Sequence, residues 1–318
     1  MITINDIYEA RRRISGYVVQ TPLLRVAQLD DILKCKVWMK PESLQRTGSF
    51  KLRGALNKLR SLTEEQKRQG VVCASSGNHG QAVAFAAKLL GIHAKVVMPV
   101  NVNPFKLAGV KRYGGEVILC GTVSSQREDK MREVVEQEQR ISVHPFEDNH
   151  VKAGQGTASL EILEMNPNID CMVVPIGGGG LISGMATAAK SVKPGIRVVG
   201  IEPTGAPRYS LSREAGKPIS LNRVDTIADG AKTDKANPLN FPIIEKCVDH
   251  LITIDDEHIK EAMKLLLTQV KLFVEPSGAL GVAAALGKTL PFTPDNHVCF
   301  LLSGGNGDLN LLASLISK

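Results

Sequence analysis

An α/β architecture with two open parallel sheets is predicted by three observations. Short β-rich apolar runs alternate with helical patterns almost throughout the chain. Polar, glycine-rich loops follow several of the strand runs. The first four strand runs cluster between residues 70 and 143, so the segments on either side of them must share a second sheet. The expected division is a large domain of residues 1–69 and 144–318, carrying a small inserted domain of residues 70–143, with a cleft between them. In open α/β sheets ligands bind at the carboxyl ends of strands.

The elements follow in order. Met1 to Arg13 reads as a capped helix with acidic residues and no apolar signal core. Strands are expected at 71–74, 94–98, 116–120 and 141–143, then at 171–176, 197–202, 250–254 and 298–302. Helices are expected at 81–90, 104–113, 124–138, 182–190, 256–271 and 310–317, with Gly91 and Gly114 as C-caps. The longest uncharged stretch, 171–189, approaches a membrane span in length, but Pro175 and four consecutive glycines make it strand, turn and helix instead.

Composition excludes several classes. The 318 residues are 43% hydrophobic and 22% charged, which describes a globular protein of one large or two ordinary domains. A net charge of +7 suits an anionic cofactor and a carboxylate substrate. No basic run is interleaved with aromatics, which argues against nucleic acid. Cys35, Cys73, Cys120, Cys171, Cys247 and Cys299 are widely spaced and four of them fall in or beside strand runs, so they read as reduced thiols. The expected location is cytoplasmic, with no membrane partner.

Lys51 is the most informative residue. The run Thr47-Gly48-Ser49-Phe50-Lys51-Leu52-Arg53-Gly54-Ala55 leads into a helix with apolar residues at Leu52, Ala55, Leu56 and Leu59. Residues four apart share a helix face, so Lys51 stacks over Ala55 at the inner edge of that stripe. The positive end of the helix dipole and partial burial both disfavour the ammonium. The neutral amine is the form that adds to a carbonyl carbon. A solvated flank is the competing reading of the same position.

Three loops share its chemistry. Gly177-Gly178-Gly179-Gly180 joins a strand run to a helix at Leu181, and its N–H groups can curl around one anion at the helix start. A phosphate is the natural guest. Dinucleotide binding with Glu202 as the ribose acid competes with it, although the glycines are contiguous rather than spaced as G-x-G-x-x-G; a tight turn without a ligand is a third reading. Ser75-Ser76-Gly77-Asn78-His79-Gly80 offers hydroxyls, amides and N–H groups to a carboxylate, with helix capping as the plainer role of one of them. Ser303-Gly304-Gly305-Asn306-Gly307 follows the strand run at 298–302.

Together, Ser49 to Ala55, Ser75 to Ala82, the tetraglycine and Ser303 to Asn306 resemble the fold-type II pyridoxal-phosphate enzymes, in the threonine/serine dehydratase and serine racemase branch. The resemblance runs end to end. It implies two open parallel-sheet domains with the active site in the cleft, the large one binding cofactor and the small one substrate. It implies pyridoxal 5'-phosphate joined to Lys51, Phe50 against its ring and Asn78 on its phenolic oxygen. Gly177, Gly178, Gly179, Gly180 and Leu181 then hold the phosphate, and Ser303 faces the pyridine nitrogen. Ser75, Ser76, Gly77, Asn78 and His79 hold the substrate carboxylate. The implied activity is a hydroxyamino-acid ammonia-lyase acting on threonine or serine, working as a homodimer, with Lys51 removing the Cα proton.

Alternatives follow from single positions. Ser76 stands where racemases of this branch place a second acid/base, so serine racemisation is one. Arg127 matches an arginine that reaches a distal carboxylate in that subgroup, so threo-3-hydroxyaspartate is a candidate substrate; an exposed helix arginine in an ion pair is the plainer reading. From other classes come a nicotinamide-dependent oxidoreductase and a catalytically silent amino-acid-binding protein. Glu202 stands where metal-dependent relatives hold a divalent cation, but Arg208 takes the second carboxylate position, so no tight Mg²⁺ or Ca²⁺ site is expected. The chain ends soon after Ser303, which leaves no room for the sensing domain of biosynthetic threonine deaminases, and no isoleucine feedback is expected.

Overall fold

A computed structural model describes residues 1–75, 77–290 and 292–316. Its strands are β1 (Leu24–Arg25), β2 (Lys36–Pro41), β3 (Val71–Ala74), β4 (Ala94–Met98), β5 (Glu116–Leu119), β6 (Ile141–Ser142), β7 (Cys171–Pro175), β8 (Arg197–Pro203), β9 (His250–Ile254) and β10 (His297–Leu302). They form a six-stranded sheet in the order β1-β2-β10-β7-β8-β9 and a four-stranded sheet in the order β5-β4-β3-β6. Only the short β1 runs antiparallel to its neighbour; every other named pairing is parallel. This is the predicted α/β class, with both sheets open.

Parallel sheets are covered on both faces, and their strands are continuous apolar runs for that reason. All five residues of β7 are buried, as are the last five of β10. One core packs Val173, Val199 and Phe300 against the helix Pro276–Leu286, and a second, on the other face, packs Met172, Val174 and Leu301 against the helix Gly180–Val192. A third lines one face of the four-stranded sheet. It takes in Cys73, Val96 and Val110, but also Leu52, Ala55, Leu56 and Leu59 of the helix Lys51–Arg60. The lysine helix thus turns its apolar stripe toward the four-stranded sheet.

Its other side is charged and equally buried. Arg53 donates to both oxygens of Glu42, at 2.8 and 2.7 Å, and to both of Glu161, at 2.6 and 2.8 Å. Lys40 of β2 donates to Glu161 and to the Thr21 carbonyl, each at 2.6 Å, and the Thr21 hydroxyl donates to Glu42 at 2.6 Å. Arg53, Lys40 and Glu42 have no exposed surface. This cluster ties the lysine helix to β2 and to the helix Asn149–Met165.

Several elements depart from the sequence reading. The strand expected to reach residue 120 stops at Leu119. The helix expected over 256–271 is α-helical only to Leu265; Leu266–Val270 is a π turn, closed where Lys271 adopts φ +64° and Leu272 N–H reaches back to the Leu266 carbonyl at 3.1 Å. Gly91 closes its helix in the left-handed conformation, while Gly114 stands one residue beyond the Tyr113 cap, its N–H on the Lys111 carbonyl at 2.9 Å. The helix expected over 310–317 runs Leu309–Ile316, and Ser317 lies outside the described residues. No described helix is long and apolar enough to cross a membrane.

Candidate active site

Three strand ends meet at one cavity of about 210 Å³. The loop after β3 contributes Ser75, Gly77, Asn78 and His79; the loop after β7 contributes Gly177 to Gly180 and Leu181; the end of β10 contributes Ser303. Phe50, Lys51 and Arg127 complete the predicted set on its walls. Ser76 lies outside the described residues.

Backbone pairing brings the first and last motifs together. Ser49 and Gly304 form an antiparallel bridge, Phe50 N–H donates to the Ser303 carbonyl at 3.0 Å, and Gly305 N–H donates to Gly48 O at 2.9 Å. Gly48 sits at φ +72°, where a Cβ would lie 2.6 Å from Asn306 Oδ1. Both the conformation and the close approach require glycine there. Lys51 therefore enters its helix directly beside the Ser303 loop.

Lys51 is half-buried, its Nζ donating to the Pro145 carbonyl at 3.1 Å and lying 5.1 Å from the centre of the Phe50 ring. Burial pushes its pKa down to about 8, against the opposing pull of Glu275. A sizeable neutral fraction then exists near neutral pH. Apoprotein stability should register this. From pH 8 to 10.5 the unfolded chain still binds a proton that folded Lys51 has shed, so this residue makes unfolding free energy rise with pH there. We expect Lys51→Met apoprotein to be the more stable at pH 7, by a margin that closes across that window. Urea titrations at stepped pH check this; a margin constant with pH would contradict it.

In the Ser75–Gly80 loop Gly77 is the N-cap of the helix Asn78–Leu90, and Ser75 supplies the acceptor: its Oγ accepts from Gly77 N–H at 3.2 Å and Gly80 N–H at 3.0 Å. Asn78 is left for other work. Its Nδ2 donates to Glu275 Oε1 at 2.6 Å and its Oδ1 accepts from Asn306 Nδ2 at 2.8 Å, which fixes the side chain and leaves one amide hydrogen. His79 Nε2 donates to the Val143 carbonyl at 2.8 Å, and burial, with Lys51 nearby, pushes its pKa down to about 3. It is a neutral imidazole.

Sequence reasoning missed Glu275. It is buried, which raises its pKa, and it faces the cavity from the start of the helix Pro276–Leu286. The run Val274-Glu275-Pro276-Ser277-Gly278 carries a helix-start signal in Pro276, but nothing marks the glutamate itself. Also missed was Lys106, ion-paired to Asp229 at 2.7 Å across the cavity; off the cavity wall, Asn103 donates to Asp308 at 3.1 Å. Arg127 stands on the helix Ser124–Glu138, half-buried, and burial lowers its pKa.

Glu202 is absent from the cavity walls. Its carboxylate accepts from Tyr209 N–H at 3.0 Å, Ser210 N–H at 2.8 Å and the Ser210 hydroxyl at 2.8 Å, so it caps the helix Arg208–Ala215. Arg208 Nη1 lies 3.6 Å from it. Among the described residues no three His, Cys, Asp or Glu side chains cluster as metal ligands.

The tetraglycine leaves no room for side chains. A Cβ on Gly177 would lie 2.4 Å from the Gly230 carbonyl, and one on Gly178 would lie 2.2 Å from the Phe146 ring. Gly179 adopts φ +87° as the N-cap of the helix Gly180–Val192. First-turn N–H groups have no partner within their own helix, and here they border the cavity. This is a bare-backbone cradle for an anion, which fits the phosphate of pyridoxal phosphate.

A family model described as pyridoxal-phosphate dependent enzyme matches residues 14–304. The chain belongs to that family. Its cofactor is pyridoxal phosphate. The chain is 44% identical over 319 residues to the serine racemase of Oryza sativa subsp. indica, covering 99% of this chain and 94% of that one. It is 40% identical over 318 residues to the L-threonine ammonia-lyase of Thermotoga maritima, covering 100% of this chain and 79% of that one. Among solved structures, maize serine racemase superposes with a TM-score of 0.95 at 42% identity, covering 99% of this chain and 97% of that one. The predicted fold-type II architecture is thereby established.

Proposed function

We propose that this enzyme is a hydroxyamino-acid ammonia-lyase: it eliminates water from serine or threonine, and hydrolysis of the released imine returns a water to give a 2-oxo acid and ammonia. The observation that carries it is Ser303, buried at the end of β10 on the cavity wall. In this reading Ser303 faces the pyridine nitrogen, and a hydroxyl cannot hold that nitrogen protonated as an aspartate would. Bound pyridoxal phosphate supplies an electron sink for charge left at the substrate α-carbon. With Ser303 beside it that sink is shallow, which favours prompt loss of the β-hydroxyl over reactions that need a long-lived anion.

The chain's residues divide the remaining work. Lys51 Nζ, depressed in pKa by burial, takes the Cα proton. Gly177 to Gly180 and Leu181 offer N–H groups to the phosphate, Phe50 packs against the cofactor ring, and the remaining amide hydrogen of Asn78 meets its phenolic oxygen. Ser75, Ser76, Gly77, Asn78 and His79 hold the substrate carboxylate. The division into a cofactor-binding part of residues 1–69 and 144–318 and a substrate-binding part of residues 70–143, a homodimeric assembly and a cytoplasmic setting belong to the same reading.

Serine racemisation is the second reading. Relatives named serine racemase and threonine ammonia-lyase stand at similar identity, 44% and 40%, and Ser76 is the residue that would hold the second proton. Initial rates on L-serine, L-threonine and threo-3-hydroxyaspartate, with chiral analysis of residual serine, decide between them. We expect 2-oxo acid from L-threonine and L-serine at rates above D-serine formation; D-serine as the main product would replace lyase by racemase. Should threo-3-hydroxyaspartate be turned over, Arg127→Ala is expected to slow that substrate alone, and equal losses on all three would refute a distal-carboxylate role.

A further inference from the structure

The glycine loop is gripped from behind. Arg208, the first residue of the helix Arg208–Ala215, is fully buried. Its guanidinium donates to the carbonyls of Ala206 at 2.6 Å, Ile176 at 2.9 Å and Gly177. The Tyr209 hydroxyl donates to Gly178 O at 2.9 Å, and Asn240 Nδ2 donates to that same carbonyl at 2.8 Å. The three successive carbonyls of residues 176, 177 and 178 are all tied to side chains outside the loop. Neither Arg208 nor Tyr209 lines the cavity, whereas all four glycines do.

In a planar trans peptide, one residue's carbonyl and the next residue's N–H point in opposite directions. Holding those three carbonyls therefore turns the N–H groups of Gly177, Gly178 and Gly179 away from Arg208 and Tyr209. Glycine alone would not fix this arrangement, because it is the residue with the widest choice of backbone conformation. We propose that Arg208 is a positioning residue for the anion cradle: its buried guanidinium holds the Ile176 and Gly177 carbonyls so that the following N–H groups present themselves to the cofactor phosphate. Arginine suits the task because its planar fork spans several acceptors at once and keeps its charge. A lysine ammonium is a single point of donation.

The inference rests on reading Gly177–Leu181 as the phosphate site, so its test uses two ligands. Apoprotein of the wild type, Arg208→Met and Arg208→Lys is titrated with pyridoxal phosphate and with pyridoxal, followed by cofactor absorbance. Thermal shifts with inorganic phosphate are measured in parallel. The wild type is expected to prefer pyridoxal phosphate and to be stabilised by inorganic phosphate. Arg208→Met should bind pyridoxal phosphate at least about tenfold more weakly, the scale of one unmade buried hydrogen bond, while binding pyridoxal nearly as before. Guanidinium ion, added well below denaturing concentration, should restore part of the loss. If Arg208→Met does not fold, Arg208→Lys carries the test, with the same selective loss expected. Wild-type affinity in the variants overturns the proposal, and so do equal losses for both ligands. A wild type that does not distinguish pyridoxal phosphate from pyridoxal, and does not respond to phosphate, overturns the phosphate site itself.

Discussion

Replacing Lys51 by alanine is expected to lower turnover by at least about 10²–10⁴-fold, the usual range for a lost general base. The loss should be deeper than that of a simple base, because Lys51 also carries the proposed covalent link to the cofactor. Its surroundings explain the size of the effect. The amine is held by the Pro145 carbonyl and its pKa is pushed down to about 8 by burial, so no water or exposed lysine can reproduce its reactivity. Borohydride reduction of holoprotein, followed by digestion and mass analysis, should place the adduct on residue 51 of the wild type and find none in the variant. Methylamine should restore a fraction of the proton-transfer rate without restoring the adduct. An adduct on any other lysine, or a variant that turns over at the wild-type rate, would remove Lys51 from the centre of the chemistry.

The second large effect concerns stability. Arg53→Met is expected to cost about 3–5 kcal/mol, because it leaves the buried carboxylates of Glu42 and Glu161 without their common partner. Burial alone would raise the pKa of Glu42; Arg53 beside it reverses the sign and holds that carboxyl below its ordinary value. Urea unfolding at neutral pH should show the loss as a lower midpoint at unchanged slope. Replacing Arg53 by Met together with Glu42 by Gln should recover part of it, since the charges that remain, Lys40 and Glu161, then balance each other. A change below about 1 kcal/mol for the single variant would mean that the cluster is wetter than its burial indicates.

The fold was legible where the chain alternates between two kinds of apolar run. The strands at 71–74, 94–98 and 250–254 stand where the β-rich runs place them, because a short Val/Ile-rich run bounded by turn residues has few other uses. Two long helices escaped notice for the opposite reason. Asn149–Met165 is buried from Val151 to Leu163 and Pro276–Leu286 from Pro276 to Ala285, so neither shows the polar face that gives an amphipathic helix its period. β2 was missed because its run carries Lys36 and Lys40, and the buried partners of Lys40 stand 19 and 121 residues away. The site divides in the same way. Glycine loops and the lysine declare themselves through local backbone chemistry, whereas Glu275, Arg208 and Tyr209 act through contacts that no local spacing encodes.

The lysine helix has one consequence for motion. Its aliphatic flank is embedded with the four-stranded sheet and its guanidinium flank is locked to β2 and the helix Asn149–Met165. A rod clamped by both bodies behaves as the pivot of any scissoring between them. Displacement then grows with distance from it, and such a motion would part Lys106 from Asp229 and Asn103 from Asp308. The reactive nitrogen sits at the fulcrum, so substrate can enter and product can leave while that atom stays put.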